Sequence, residues 1–268
     1  MKRFAARRAL VTGASRGIGA ALAERLASDG ADVAITARTL DRHPNPPGSL
    51  RETAARLQRH GGRVALVVAD MADEADRARI VPEAEAALRG PVDILVNNAA
   101  AAIYQPLVDY PLRRRRLVFE VNVHGPTDLA QAVIPRMVER GRGWIVNVSS
   151  GTARLAEGPP FRTSGLGSTT GVYGASKTAL NRLTNALALE LWGTGVRVNT
   201  IEPRAAVMSE GATAIVGDTI TDDQVEPMET MVEATMALCD CDAAMTGQVH
   251  VSLDLIERLG LTVHVTSS

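Results

Sequence analysis

The sequence predicts an α/β fold of Rossmann type: a doubly wound parallel sheet flanked by helices, forming a single domain over residues 1–268. Three observations point there. Short apolar runs alternate with amphipathic helical segments along the chain, the pattern of a parallel sheet covered on both faces. The first apolar run leads straight into a glycine-rich turn and a helix. No internal repeat or composition shift marks a linker. Right-handed crossovers then place helices on each side of the sheet.

Each element follows from local pattern. Ala9 to Val11 reads as the first strand, and Ile18 to Ala27 as a helix with Ile18, Leu22 and Leu26 at four-residue spacing. Val33 to Ala37 is the second strand. Asp41 to Ser49 holds three prolines and a glycine, so it is a surface loop. Leu50 to His60 is helical until Gly61-Gly62, and Val64 to Ala69 is the third strand. Glu74 to Leu88 is a helix, and Asp93 to Val96 a buried strand ending in Asn97-Asn98. Two helices follow, Leu112 to Val123 and Thr127 to Arg140, then a fifth strand, Trp144 to Val148. Gly151 to Gly171, rich in Gly, Pro, Ser and Thr, reads as a long loop. Val172 to Trp192 is a long helix with Leu180, Leu183, Leu187 and Leu191 on its apolar side. Val196 to Ile201 is the sixth strand, Asp222 to Leu238 a helix, and Gln248 to Leu253 a last strand.

Composition narrows the function classes. With 29 basic against 30 acidic side chains, the net charge is −1, and no global field draws nucleic acid or an anionic membrane. The run Arg113 to Arg116 lacks accompanying aromatic platforms and reads as a solvated or subunit-facing helix edge. No run approaches the ~20 apolar residues that span a bilayer, and Met1 to Leu10 lacks the pattern of a cleaved leader. A cytoplasmic protein is expected. Aromatics are only 3%, so the core is aliphatic. Cys239 and Cys241 read as reduced thiols, and the histidines show no ligand spacing; no metal is expected.

The chemistry concentrates in three places. In Thr12-Gly13-Ala14-Ser15-Arg16-Gly17-Ile18-Gly19, glycines let the backbone turn sharply and approach a pyrophosphate, which the helix N-terminus attracts. The second strand ends Ala37-Arg38, where a carboxylate would bind ribose hydroxyls and repel a 2′-phosphate. Arg38 and Arg16 are placed to converge on such a phosphate, which favours NADP(H) with NAD(H) as the alternative. Finally, Tyr173 and Lys177 are four residues apart and share one helix face. An ammonium beside the phenol is expected to lower its pKa and make Tyr173 a usable proton donor and acceptor.

Taken together, these residues resemble the short-chain dehydrogenase/reductase family, its single-domain branch in particular, from about residue 8 to 203. Thr12 to Gly19 is similar to the family's T-G-x-x-x-G-x-G loop, and Asp70 to the acid that contacts adenine. Asn97-Asn98-Ala99 is similar to the N-N-A-G motif, with Ala100 in place of its glycine. Asn122-Val123-His124-Gly125 resembles N-V-x-G, Val148-Ser149-Ser150 the strand end that carries a catalytic serine, and Tyr173 to Lys177 the Y-x-A-S-K form.

The resemblance implies a four-residue catalytic set. Tyr173 would be the general acid/base, Ser150 would hydrogen-bond the substrate oxygen, and Lys177 would hold the nicotinamide ribose. Asn122 would position a water in a relay to Lys177. Gly13, Ser15, Arg16, Gly17, Ile18, Gly19, Arg38, Asp70, Asn97, Ala99, Tyr173, Lys177 and Pro203 would contact the cofactor. The implied activity interconverts a secondary alcohol and a ketone, or an aldehyde and its alcohol, on a small and apolar carbonyl or alcohol substrate. A homotetramer or homodimer is implied, built partly through the helices at 127–140 and 172–192. The alternative is a non-catalytic dinucleotide-binding or scaffold protein on the same fold.

Three departures stand out. The family's serine lies about a dozen residues before its tyrosine, whereas Ser150 precedes Tyr173 by 23 positions. Ser149 is the other candidate serine, and the extra length in 151–171 reads as a substrate lid, with Phe161 and Leu166 as its apolar contacts. Pro203-Arg204 replaces the usual P-G and would set a charge near the nicotinamide or substrate entry. Residues 204–268 form a variable substrate and oligomer region, with Thr246-Gly247-Gln248 and Ser252-Leu253-Asp254 in place of V-D-G-G.

Overall fold

Side-chain alternation sorts the strands into two cores. In the first strand, β1 (Arg8–Thr12), Ala9 and Val11 face one way and Leu10 the other. The computed structural model describes residues 2–41, 47–161, 167–209 and 225–263. Ala9 and Val11 pack with Leu22 and Leu26 of α1 (Gly17–Ser28) and with Leu50, Ala54 and Leu57 of α2 (Leu50–Gln58). Leu10 packs with Ile80 and Leu88 of α3 (Glu74–Leu88), and with Leu129 and Val133 of α5 (Gly125–Glu139). Fully burying one such side chain is worth about 1.5–3 kcal/mol, so both faces hold the sheet.

The remaining strands are β2 (Asp32–Ala37), β3 (Val64–Val68), β4 (Ile94–Asn97), β5 (Gly143–Val148), β6 (Val196–Glu202) and β7 (Val249–Val251). All seven pair in parallel in the order β3-β2-β1-β4-β5-β6-β7. After β3 the chain crosses back to place β4 beside β1, with Val11 opposite Val96. That reversal opens a crevice beyond the strands' carboxyl ends, where ligands bind in open α/β sheets. Among the described residues, no helix is long and apolar enough to cross a membrane.

Several boundaries differ from the expectation. β4 runs one residue later than predicted, because the Asp93 carboxylate accepts from Arg8 N–H (2.9 Å) and approaches Arg140 (3.3 Å) instead of opening the strand. The two helices predicted at 112–123 and 127–140 join: α4 (Leu112–Phe119) passes through a π turn, Glu120–His124, into α5. The predicted strand to Leu253 stops at Val251, and Ser252 opens an unpredicted helix, α8 (Ser252–Leu259). The helix predicted from Asp222 is α7 (Met228–Leu238), entered through Pro227, which suits a helix start; Asp222 itself lies outside the described residues.

The longest helix is α6 (Gly171–Glu190). Of the expected leucine row, Leu180 and Leu191 are buried, and polar residues share the stripe with them. Tyr173, Lys177, Leu180, Thr184 and Ala188 face the protein, while Leu183 and Leu187 are half-buried and Leu189 is exposed. Polar groups beneath explain the choice. Thr184 accepts from Asn147 (2.8 Å) and from Thr200 (3.0 Å), so an aliphatic residue there would orphan two buried groups.

Candidate active site

The nucleotide cradle is made by backbone proximity. Gly13 has φ +66°, and a Cβ there would stand 2.8 Å from the Ala99 Cα. At Gly19 a Cβ would lie 2.4 Å from Asn98 Nδ2 and 2.5 Å from the Gly13 carbonyl oxygen. The ends of β1 and β4 are stitched across this gap. Asn98 donates to the Thr12 and Gly13 carbonyls (2.9 and 3.2 Å), and the Thr12 hydroxyl accepts from the Asn98 and Ala99 N–H groups (both 3.0 Å).

The N-terminus of α1 faces the crevice with its donors uncommitted. Arg16 at the N-cap supplies no side-chain cap, and the first turn holds no acidic residue. The next two helices are capped by side chains: Ser49 accepts from Glu52 N–H at α2, and Asp73 from Asp76 N–H at α3. An uncapped helix end beside a glycine cradle fits a pyrophosphate in charge and in shape. Ser15 is buried and Ile18 packs against the core, so both set the loop's shape. Ala100, standing where the family has glycine, is exposed and needs no positive φ, so the exchange is accommodated.

Arg38 follows β2 and Arg16 follows β1, strands whose Thr36 and Thr12 pair in register. The Arg38 side chain is 73% exposed and meets Asp70 only at 3.9 Å. A pair this exposed contributes little, which leaves the guanidinium available to a ligand. Asn97 is placed differently from the expectation. Its amide donates to Asn147 (2.8 Å) within the buried polar row, so the side chain serves the sheet, and Asn98 is the residue that shapes the loop.

The catalytic candidates meet at the carboxyl end of β5. The Ser150 side chain lies close enough to the Tyr173 hydroxyl to oppose the rise of its pKa. Ser150 Oγ also accepts from the Thr152 N–H (3.2 Å) and hydroxyl (2.9 Å), which leaves its own proton to donate. Ser149, the other candidate, is buried, and its hydroxyl has no partner among the described residues. Gly174 brings the serine turn against α6: a Cβ there would lie 2.4 Å from the Thr152 carbonyl oxygen. Thr178 fastens the same turn by donating to the Ala153 carbonyl (2.8 Å).

Lys177 is buried, with Nζ 2.7 Å from the Val148 carbonyl oxygen and 5.7 Å from the Tyr173 ring centroid. Burial lowers its pKa to about 8. Burial likewise raises the Tyr173 phenol, Tyr104 adds to the rise, and Ser150 opposes it. The expectation that Lys177 lowers the Tyr173 pKa is therefore not met in the protein alone. Desolvation wins because the ammonium is turned to a carbonyl. Asn122 sits in the π turn, where its side chain brackets Ala101, accepting from its N–H (2.8 Å) and donating to its carbonyl (3.1 Å). It also donates to Ser176 (3.0 Å), the residue before Lys177.

An uncapped helix N-terminus beside a glycine turn and a Ser–Tyr–Lys cluster thus lie along one edge of one sheet. A model of the short chain dehydrogenase family matches residues 7–219. The chain belongs to this family. Hydroxysteroid dehydrogenase-like protein 2 of Danio rerio is 30% identical over 251 residues, covering 94% of this chain and 58% of that protein. The chain thus spans less than two thirds of that curated relative's length. A short chain dehydrogenase from Mycobacterium thermoresistibile superposes with a TM-score of 0.83 at 26% identity, covering 96% of this chain and 89% of the other. A gluconate 5-dehydrogenase of Burkholderia cenocepacia, in complex with NADP and tartrate, gives a TM-score of 0.76 at 29% identity, with 93% and 95% covered.

Within this short-chain dehydrogenase, three polar anchors had no sequence signal. Arg77, buried on α3, reaches Glu120 (3.1 Å) and Asp128 (2.6 Å), and so braces both flanks of the Asn122 turn. Buried Glu226 accepts from the Arg204 and Ala205 N–H groups (2.9 and 3.2 Å) and from Ser252 (2.6 Å), holding the chain just after Pro203. Arg154 pairs with buried Glu202 at the end of β6 and ties the first part of 151–171 to the sheet. Arg204 corrects an expectation: its guanidinium pairs with Asp254 of α8 and lies 3.9 Å from Glu257, so its charge is engaged by the C-terminal helix. Among the described residues, no group of three potential metal ligands comes together.

Proposed function

We propose that the protein is an NADP(H)-dependent oxidoreductase that interconverts a secondary alcohol and a ketone, or an aldehyde and its alcohol. The observation that carries this reading is the meeting of Ser150, Tyr173 and buried Lys177 at the end of β5, with Lys177 Nζ 5.7 Å from the Tyr173 ring centroid. Gly13, Gly17 and Gly19, with the α1 N-terminus, would hold the pyrophosphate; Ala99, Asp70, Pro203 and the backbone at Asn97 would flank the rest of the dinucleotide. Arg38 and Arg16 would take a 2′-phosphate. When bound, the nicotinamide supplies or accepts the hydride.

The chain's own residues manage the proton. Ser150 donates its hydrogen to the substrate oxygen and orients the carbonyl. Tyr173 delivers its phenolic proton to that oxygen in reduction and removes it in oxidation. Lys177, buried and without a carboxylate partner among the described residues, turns to the ribose and stabilises the phenolate left on Tyr173. Asn122, braced by Arg77, holds the water that returns a proton toward Lys177.

Exposed Leu107 and Val108, on the segment that carries Tyr104, and exposed Leu155 and Phe161, on the segment between Ser150 and Tyr173, support an apolar substrate. The 151–171 lid keeps this place in the reading, with Leu166 outside the described residues. Exposed Leu189 and Trp192 on and after α6 support assembly as a homotetramer or homodimer through that helix. The test is NADPH oxidation by the purified protein across a carbonyl panel, with Tyr173→Phe as control. Cofactor binding without oxidation by either protein would favour the non-catalytic alternative.

A further inference from the structure

The loop between β4 and α4 is fixed at three points around one side chain. Asn122 brackets Ala101 on both backbone groups. Tyr110 donates its hydroxyl to the Ile103 carbonyl (3.0 Å), and the Gln105 N–H donates to the Thr169 carbonyl (2.9 Å), just before α6. Between these anchors Tyr104 is half-buried, its ring 5.5 Å from that of Tyr173 and inclined by 65°. This is an edge-to-face pair. Among the described residues, nothing hydrogen-bonds the Tyr104 hydroxyl, whereas Tyr110 nearby has its partner. Burial alone accounts for the raised Tyr104 pKa, and Tyr104 in turn acts electrostatically on Tyr173. The two phenol groups therefore share one small space.

We infer that Tyr104 contacts the substrate, its hydroxyl donating a hydrogen bond to a second oxygen beside the reacting carbonyl. The inference rests on the oxidoreductase reading above and narrows it. The substrate class becomes ketones that carry a neighbouring ester, carbonyl or hydroxyl oxygen. The chemistry follows from the donor count. Ser150 and Tyr173 both serve the reacting oxygen, so a third donor in the same space has use only for another acceptor. Tyr104 further supplies an apolar ring wall beside the reacting carbon.

The experiment compares ethyl 3-oxobutanoate with 2-heptanone, probes of similar chain length that differ in the second oxygen. Wild type, Tyr104→Phe, Tyr104→Leu and Tyr173→Phe are assayed with NADPH, and NADPH affinity is measured separately by fluorescence. Tyr104→Phe keeps the ring pair and removes only the hydroxyl. It is expected to lose about three- to tenfold in kcat/KM on the keto ester, mostly through KM, the size of one neutral hydrogen bond. On 2-heptanone its effect should be clearly smaller than on the keto ester, with NADPH affinity unchanged. Tyr104→Leu should lower kcat/KM on both probes. Equal effects of Tyr104→Phe on the two probes, or no effect on either, would overturn the assignment and leave Tyr104 a packing residue. A wild type that binds NADPH yet reduces neither probe overturns the oxidoreductase reading itself, and the Tyr104 assignment with it.

Discussion

The proposed nucleotide side and the proposed substrate side of this crevice are built by different means. On the nucleotide side, glycines within one short loop and an uncapped helix do the work, and their partners at Asn98 and Ala99 lie on the adjacent strand. On the substrate side, groups far apart in sequence hold one another. Asn122 fixes Ala101, Thr169 fixes Gln105, Arg154 meets Glu202, and Glu226 holds Arg204. Backbone geometry must accept one invariant shape, a pyrophosphate, so it is written locally. Side-chain anchors can be exchanged without disturbing the sheet, which lets the substrate side vary while the fold persists.

Four substitutions probe this contrast. Tyr173→Phe should reduce turnover roughly 10²–10⁴-fold while leaving NADPH affinity nearly intact, as stopped-flow rates and fluorescence titration would show. Comparable losses in binding and turnover would mean that the two sides are not separable. Arg38→Asp should weaken NADPH about 10–150-fold and spare NADH, the loss expected for one charge-assisted hydrogen bond, measured by paired titrations. A wild type that prefers NADH removes the role given to Arg38.

Gly19→Ala should weaken both dinucleotides by a similar factor, on the order of tenfold. The added methyl meets Asn98 and the Gly13 carbonyl, and about 1.4 kcal/mol of strain corresponds to a tenfold change. Calorimetry with both cofactors distinguishes this from Arg38→Asp, which should separate them. The smallest effect is on stability. Lys177 has a pKa lowered to about 8 from 10.5, so between these values the unfolded chain binds more protons than the native one. Stability then rises with pH across that window. Lys177→Met should abolish this slope and raise the melting temperature of the cofactor-free protein by a few degrees, even as activity falls. An unchanged slope in thermal melts between pH 8 and 10 would show that the ammonium is not desolvated.

Much of this was legible in the residues themselves. Short apolar runs set the strands, four-residue spacing set the helices, and Gly13, Gly19, Tyr173 and Lys177 could be placed because each acts over a distance that the sequence displays. The chain by itself did not show which serine faces Tyr173. It likewise hid the turn of Asn97 into the buried row, the approach of Tyr104 to the catalytic tyrosine, and the reach of Arg204 to α8. Each depends on where a loop end meets another strand or helix, and that meeting is fixed by packing of the two cores. Local pattern reports backbone conformation through steric and hydrophobic periodicity, whereas the pairing of isolated polar groups depends on three-dimensional distance, which no spacing along the chain encodes.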